Sequence, residues 1–227
     1  MTALRGLLVE SCDLTDRFWD ANISSVLKRK RLEQIGIGFN DFTPGVIKSS
    51  IEALDFSTLK LISLKALPSD RLVTYLCNSI QAVEESQLTE VDLSHCHLKD
   101  ACISQLSLVL NHTPYLRRLV LKNNIGLSIG VVADLISSCR MKGVRIEELD
   151  LLGCSLAQSS TDDIDRCAES LRSFLTWSKS LIRVSLSFNR QCDYTSISLM
   201  SEAWKSGHCN GVARQPTEHQ LILSTLN

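Results

Sequence analysis

Residues 88–98 read LTEVDLSHCHL. Leu88, Val91 and Leu93 are spaced L-x-x-L-x-L, Cys96 follows three residues on, and Leu98 closes the stretch. Val91 and Leu93 are two apart, so in a strand they share one face, while Glu90 and Asp92 share the other. The same pattern lies on both sides. Upstream it runs Leu4, Leu7, Val9, Cys12, Leu14; then Leu32, Ile35, Ile37, Asn40, Phe42; then Leu59, Ile62, Leu64, with Leu67 where the others carry Asn or Cys. Downstream it runs Leu116, Leu119, Leu121, Asn124; Ile146, Leu149, Leu151, Cys154, Leu156; and Leu181, Val184, Leu186, Asn189.

The first positions, 4, 32, 59, 88, 116, 146 and 181, are 28, 27, 29, 28, 30 and 35 residues apart. That period, with this motif, is a leucine-rich repeat of the long, helix-containing kind. Between strands lie amphipathic stretches behind cap-type residues. Ser69 and Asp70 precede Leu72, Val73, Leu76, Cys77 and Ile80; Ser128 precedes Val132, Leu135, Ile136 and Cys139; Asp162 or Asp163 precedes Ile164, Cys167, Leu171 and Leu175. The expected fold is therefore α/β: a horseshoe solenoid of about seven repeats, with a parallel concave sheet and convex helices. Each inward aliphatic side chain contributes roughly 1.5–3 kcal/mol by leaving water. Asn in the turn slot can bond backbone groups of its own turn and of neighbouring coils, and Cys is a small buried substitute.

The repeats are expected to occupy residues 1–192. Residues 193–227 are expected to hold one more helix, near Ser196 to Lys205, and then a cap strand at Leu221–Leu223 or a frayed end. The sixth unit carries extra residues, AQSSTDDIDRC at 157–167. The first repeat starts at Leu4 with no polar capping unit before it, which reads as a piece of a longer protein or a missing upstream part.

Composition narrows the function classes. The chain has 227 residues, 24 Lys+Arg against 25 Asp+Glu, and 44% hydrophobic residues. Near-neutral charge argues against a whole-domain nucleic-acid binder. No apolar run approaches the ~20 residues of a membrane span, and the start, MTALRGLLVESCD, does not read as a signal peptide. Nine cysteines, an odd number without a CxxC pair, read as reduced thiols in the nucleus or cytoplasm.

Catalytic signatures are missing: the sequence has no GxxxxGK[ST], GxSxG or HExxH. No enzyme, metal or cofactor is expected. A metal reading of His95, Cys96, His97, Cys102 and His112 gives way to a plainer one, because Cys96 fills the turn slot and Cys102 belongs to a helix's apolar face. His208, Cys209 and His219 lack a second pair to complete four ligands. The run Lys28, Arg29, Lys30, Arg31 suits a solvated helix C-terminus better than an import signal.

The outward positions of the strands are the better candidate surface, since solenoids bind partners on such faces. The candidate protein-binding residues are Glu33, Glu90, Asp92, His95, Arg117, Arg118, Lys122, Glu148 and Asp150. Lys60, Ser63, Glu147, Arg183, Phe39 and Phe188 lie on the same face or its rim. Acids of the fourth and sixth repeats flank a basic fifth. With these charges read as exposed, reversing Asp92 and Asp150 to Arg is expected to weaken partner binding at little cost in stability.

The run from LRGLLVESCDLTDRFWDANISSVLKRKRLEQIGIGFNDF through LTEVDLSHCHLKDACISQLSLVLNHTPYLRRLVLKNN to IEELDLLGCSL resembles the C-terminal leucine-rich region of the Tonsoku-like proteins. The resemblance rests on the order and spacing of the repeats. It covers residues 4–156 well and 157–192 loosely, and the tail does not match. It implies a non-enzymatic nuclear scaffold in homologous-recombination repair of stalled or damaged replication forks. Its implied partners are that family's large helical-repeat partner subunit and the strand-exchange recombinase. The family's ankyrin and tetratricopeptide repeats do not occur here, so its histone reading does not carry over. The alternative is a generic ribonuclease-inhibitor-type regulator, Ran GTPase-activator-like or immune-sensor-like. The tail, SGHCNGVARQPTEHQLILSTLN, lacks the acidity common in the first of these.

Overall fold

The computed structural model describes residues 4–29, 31–67, 71–154, 156, 161–178, 180–186, 194–209 and 220–222. Eight three-residue strands lie parallel in chain order: β1 (Gly6–Leu8), β2 (Gln34–Gly36), β3 (Leu61–Ser63), β4 (Glu90–Asp92), β5 (Arg118–Val120), β6 (Glu148–Asp150), β7 (Arg183–Ser185) and β8 (Gln220–Ile222). The register places equivalent motif positions side by side, as in Ile35, Ile62, Val91, Leu119, Leu149 and Val184. Helices return the chain between strands: α1 (Asp16–Asn22), α2 (Ser24–Arg29), α3 (Pro44–Glu52), α4 (Leu72–Gln81), α5 (Asp100–Leu108), α6 (Ile129–Met141), α7 (Thr161–Trp177) and α8 (Tyr194–Cys209). Neighbours α3 to α8 pack in sequence order. The fold is a leucine-rich repeat solenoid.

The motif residues form the core. Leu59, Ile62, Leu64, Leu88, Leu93, Leu119 and Leu121 are wholly buried. The helices add Leu72, Leu76, Ile80, Leu135, Leu171 and Leu175 from the apolar stripes read in the sequence. Ser128 caps α6 by accepting from Val131 N, 3.2 Å. Ser69, Asp70, Phe188 and Asn189 lie outside the described residues.

The turn slots tie the coils in pairs. Asn124 Oδ1 accepts from Cys96 N (3.0 Å) and Leu98 N (3.1 Å) of the coil before, while Nδ2 donates to Leu93 O and Leu121 O. Asn40 does the same for Cys12 N, Leu14 N, Val9 O and Ile37 O. The same two pairs share a second tie. Asp16, opening α1, accepts from Thr43 N and Oγ1, and Asp100, opening α5, accepts from Ser128 N and Oγ. Coils one and two, and coils four and five, are thus doubly joined. The third coil has Leu67 in the slot, so no amide reaches back from it, and Cys96 Sγ donates to Leu64 O instead.

Each described turn has a left-handed residue just before the slot: Ser11, Phe39, Ala66, His95, Asn123 and Gly153 have φ between 52° and 70°, and the first and fourth turns add a second just after it at Asp13 and His97. Glycine fits this conformation without strain, and a Cβ costs roughly 1–2 kcal/mol there. At Gly153 an added Cβ would sit 2.2 Å from Asn123 Oδ1. Ala66→Gly is therefore expected to stabilise the chain by about 0.5–1 kcal/mol after the added freedom of the unfolded chain is subtracted. Gly153→Ala is expected to destabilise it. Urea midpoints check both.

Five of the described thiols are buried: Cys77, Cys96, Cys139, Cys154 and Cys167. Burial pushes Cys77, Cys96, Cys139 and Cys154 up to about 12 from 9.0. A thiol whose folded value is raised stabilises the fold fully below its unfolded value, and that contribution is lost as pH climbs toward the folded one. Melting temperature is expected to hold up to about pH 9 and fall from there toward pH 12, less steeply in Cys→Ala variants. A thiol reagent near pH 8 is expected to modify exposed Cys12 in the native chain and the five buried thiols only after unfolding.

Candidate protein-interaction surface

Strand residues that do not enter the core stand on the concave face in rows running across the coils, because equivalent positions align. The outermost row places Glu33 between Arg5 (3.0 Å) and Lys60 (2.8 Å). The hydrogen bond from Lys60 holds the Glu33 carboxyl below its ordinary value; burial opposes this and Arg5 adds to it. Arg117 meets Glu147 at 3.5 Å in the same row. The next row sets Arg118 between Glu90 (2.5 Å) and Glu148 (3.0 Å). Burial works against the Arg118 guanidinium, and the two carboxylates outweigh it, so its pKa is raised.

The third row runs deeper. Lys65 Nζ lies 3.1 Å from Glu10 and 3.5 Å from Asp92. Burial disfavours its charge, yet the hydrogen bond to Glu10 and the nearby Asp92 raise its pKa overall. Glu10 also accepts from Ser63 Oγ. To do so it crosses the whole second coil, over Gly36, where an added Cβ would sit 3.1 Å from Glu10 Oε1. Lys122 binds Asp150 at 3.0 Å.

Sequence reasoning placed Glu33, Glu90, Asp92, Arg117, Arg118, Lys122, Glu148 and Asp150 on this face, and the structure brings them together as interlocked ion pairs. Two of them differ from expectation. Asp92 and Asp150 are each only 8% exposed. Asp92 Oδ1 accepts from Ser94 N and Oγ at 3.0 and 2.6 Å, and Asp150 Oδ1 accepts from Leu152 N at 3.2 Å. These aspartates fasten the start of the turn and are covered by the lysines beside them. Reversal to Arg would bury an unmatched cation against Lys65 or Lys122, so it costs stability and is a poor probe of binding.

On the rim after the strands, His95 Nε2 lies 3.0 Å from Asn123 Nδ2. Phe39, 44% exposed, meets the His95 ring edge-on at 5.6 Å. The small Ala66 of the intervening coil leaves room for this contact. The sequence reading missed Arg5, Glu10 and Lys65. Their signal was present: Arg5 occupies the motif position of Glu33, and Glu10 and Lys65 occupy that of Lys122. Arg183 has a buried Nε without a hydrogen-bond partner. Among the described residues no group of His, Cys, Asp and Glu is arranged to hold a metal ion. The rows present alternating charge with an aromatic rim, an arrangement suited to exchanging ion pairs with a protein surface.

No family model matches the chain. Among curated proteins, it is 26% identical to NACHT, LRR and PYD domains-containing protein 14 of Homo sapiens, over 91% of this chain and 21% of that protein. It is 24% identical to protein 4E of that series from Mus musculus, over 91% of this chain and 17% of that protein. It is 30% identical to protein 9 of the series from Bos taurus, over 62% of this chain and 13% of that protein. The chain thus spans about a fifth or less of these relatives. Among solved structures it is similar to a tropomodulin C-terminal domain from Caenorhabditis elegans. That likeness has a TM-score of 0.41 and 16% identity, over 90% of this chain and 84% of that one. The curated relatives share leucine-rich repeats with this chain, and none of those named is a Tonsoku-like protein.

Proposed function

We propose that the chain is a non-enzymatic protein-interaction module whose concave face carries the binding. The observation behind this is the set of ion pairs across the concave face, from Arg5–Glu33–Lys60 to Lys122–Asp150, with Phe39 and His95 on its rim. A rigid face of matched charges recognises a partner that offers the same alternation, since desolvating a charge without a replacement is costly. On the resemblance of residues 4–156, the reading extends to the repair scaffold of stalled replication forks in the nucleus. The partners would then be the large helical-repeat subunit of the Tonsoku-like proteins and the strand-exchange recombinase.

A second reading is a regulatory repeat segment of a larger chain, and the NACHT, LRR and PYD relatives favour it. The test is co-precipitation from nuclear extract, with wild type beside an Arg118→Ser/Glu148→Ser variant. That variant removes one cation and one anion whose side chains are 40% and 38% exposed. Capture of the helical-repeat subunit or the recombinase by wild type, reduced about tenfold in the variant, is the expected result. Equal capture by both rejects the concave site. Capture of neither by wild type rejects the repair reading and leaves the second.

A further inference from the structure

A second surface lies away from the concave face, where helices end and turn back toward the strands. The last residues of three adjacent helices, Leu108 of α5, Met141 of α6 and Trp177 of α7, are 68%, 76% and 41% exposed. The three helices pack side by side in successive coils. Lys142, just beyond Met141, donates from Nζ to Leu108 O at 2.7 Å and so fastens the first two positions together. Trp177 packs edge-on against buried Phe174 at 5.5 Å, which holds its indole in place.

The charge beside this row is of one sign. Arg140, in the last turn of α6, and Lys142 and Arg145, just after it, are all exposed. Arg140 and Arg145 have no acidic partner among the described residues, whereas Arg5, Arg31, Arg117, Arg118, Arg166 and Arg172 each have one. Apolar side chains with unneutralised guanidinium groups beside them call for an occupant that supplies both apolar groups and carboxylates.

Spacing selects its form. Packed helices lie about 8–10 Å apart, and two turns of an α-helix rise about 10.8 Å. A helix laid along the row would therefore offer one side chain to each of Leu108, Met141 and Trp177 at about every seventh residue. Toward the other end of this rim, Glu84 and Glu85 are exposed in the turn after α4, and Glu85 accepts the Tyr115 hydroxyl, which raises the Tyr115 pKa. Acids there oppose an anionic bilayer and leave a linear site of limited length.

We infer that this rim is a docking site for an acidic amphipathic helix of a partner protein, with apolar residues at about heptad spacing seated on Leu108, Met141 and Trp177. Its carboxylates face Arg140, Lys142 and Arg145. The site is independent of the concave face.

The probe is a capped peptide of about eighteen residues with leucine at every seventh position, glutamate beside each leucine and alanine elsewhere. Trp177 reports the binding, since Trp19 is 0% and Trp204 8% exposed. The expected result is a saturable blue shift in emission that weakens with added salt. Affinity should fall about tenfold or more in Met141→Ser and in Arg140→Ser/Arg145→Ser, with unchanged melting. The Arg118→Ser/Glu148→Ser variant should bind the peptide like wild type, which separates this site from the concave one. The site is overturned by no saturable response, by an equal response to a peptide with lysine for glutamate, or by binding unaffected in the rim variants. It is equally overturned if anionic vesicles shift Trp177 and the peptide does not, or if sedimentation shows self-association that Met141→Ser abolishes.

Discussion

Replacing Asn124 with alanine is expected to cost about 4 kcal/mol or more, the largest single-residue loss in the chain. Asn124 is wholly buried. Its amide satisfies the Cys96 and Leu98 N–H groups of one coil and the Leu93 and Leu121 carbonyls. Alanine leaves Cys96 N, Leu98 N and Leu93 O without a partner in a place water does not reach, while Leu121 O keeps only the weak donor Cys154 Sγ; each orphan costs about 1–3 kcal/mol when the surroundings cannot adjust. Asn124→Asp is no remedy: it keeps the acceptors, loses the donors and sets a carboxylate against two carbonyl oxygens. Asn40→Ala removes equivalent bonds, but Asn40 is 7% exposed and one of its clients, Cys12, is exposed. Water can take over part of the work, so the loss there should be smaller. Urea unfolding gives the totals, and hydrogen exchange at Cys96 and Leu98 reads the local opening. Equal losses at positions 40 and 124 would reject the argument from water access.

The second large effect is expected at Leu93. Its side chain is 0% exposed at the inner face of the fourth coil. Leu93→Ala should cost about 2–5 kcal/mol, the transfer term plus the cavity that stacked backbones on either side are too rigid to close. Leu93→Met should cost less than about 1.5 kcal/mol. Leu8→Ala, one position off the inward register and 61% exposed, should stay within about 0.5 kcal/mol. Because each coil packs mainly on its immediate neighbours, the Leu93 variant is also expected to broaden or split the urea transition. A Leu93 variant as stable as the Leu8 one would reject the register.

Strand positions were legible because the motif has a strict alternation that only one register buries. The concave face was legible as a set of residues but not as a set of partners. Periodicity says that Glu10, Lys65 and Asp92 face the same way. It does not say that the glycines of the second coil let Glu10 reach the third. Burial of Asp92 and Asp150 depends on which long side chain lies across them, a property of neighbouring coils rather than of their own motif. The left-handed turn residue was nearly invisible, since Ser, Phe, Ala, His and Asn occupy it and only Gly153 announces the conformation. The last strand, β8, lacks the leading motif leucine: Glu218 stands there. The tail therefore showed only alternation at Leu221 and Leu223.

The paired coils give the molecule a grain. Between the second and third coils the turn amide is missing, and the long reach of Glu10 from the first coil to Ser63 and Lys65 is laid across that seam. Pulled from its two ends, such a stack would tear there before it tore within either pair, and high salt would loosen the seam first.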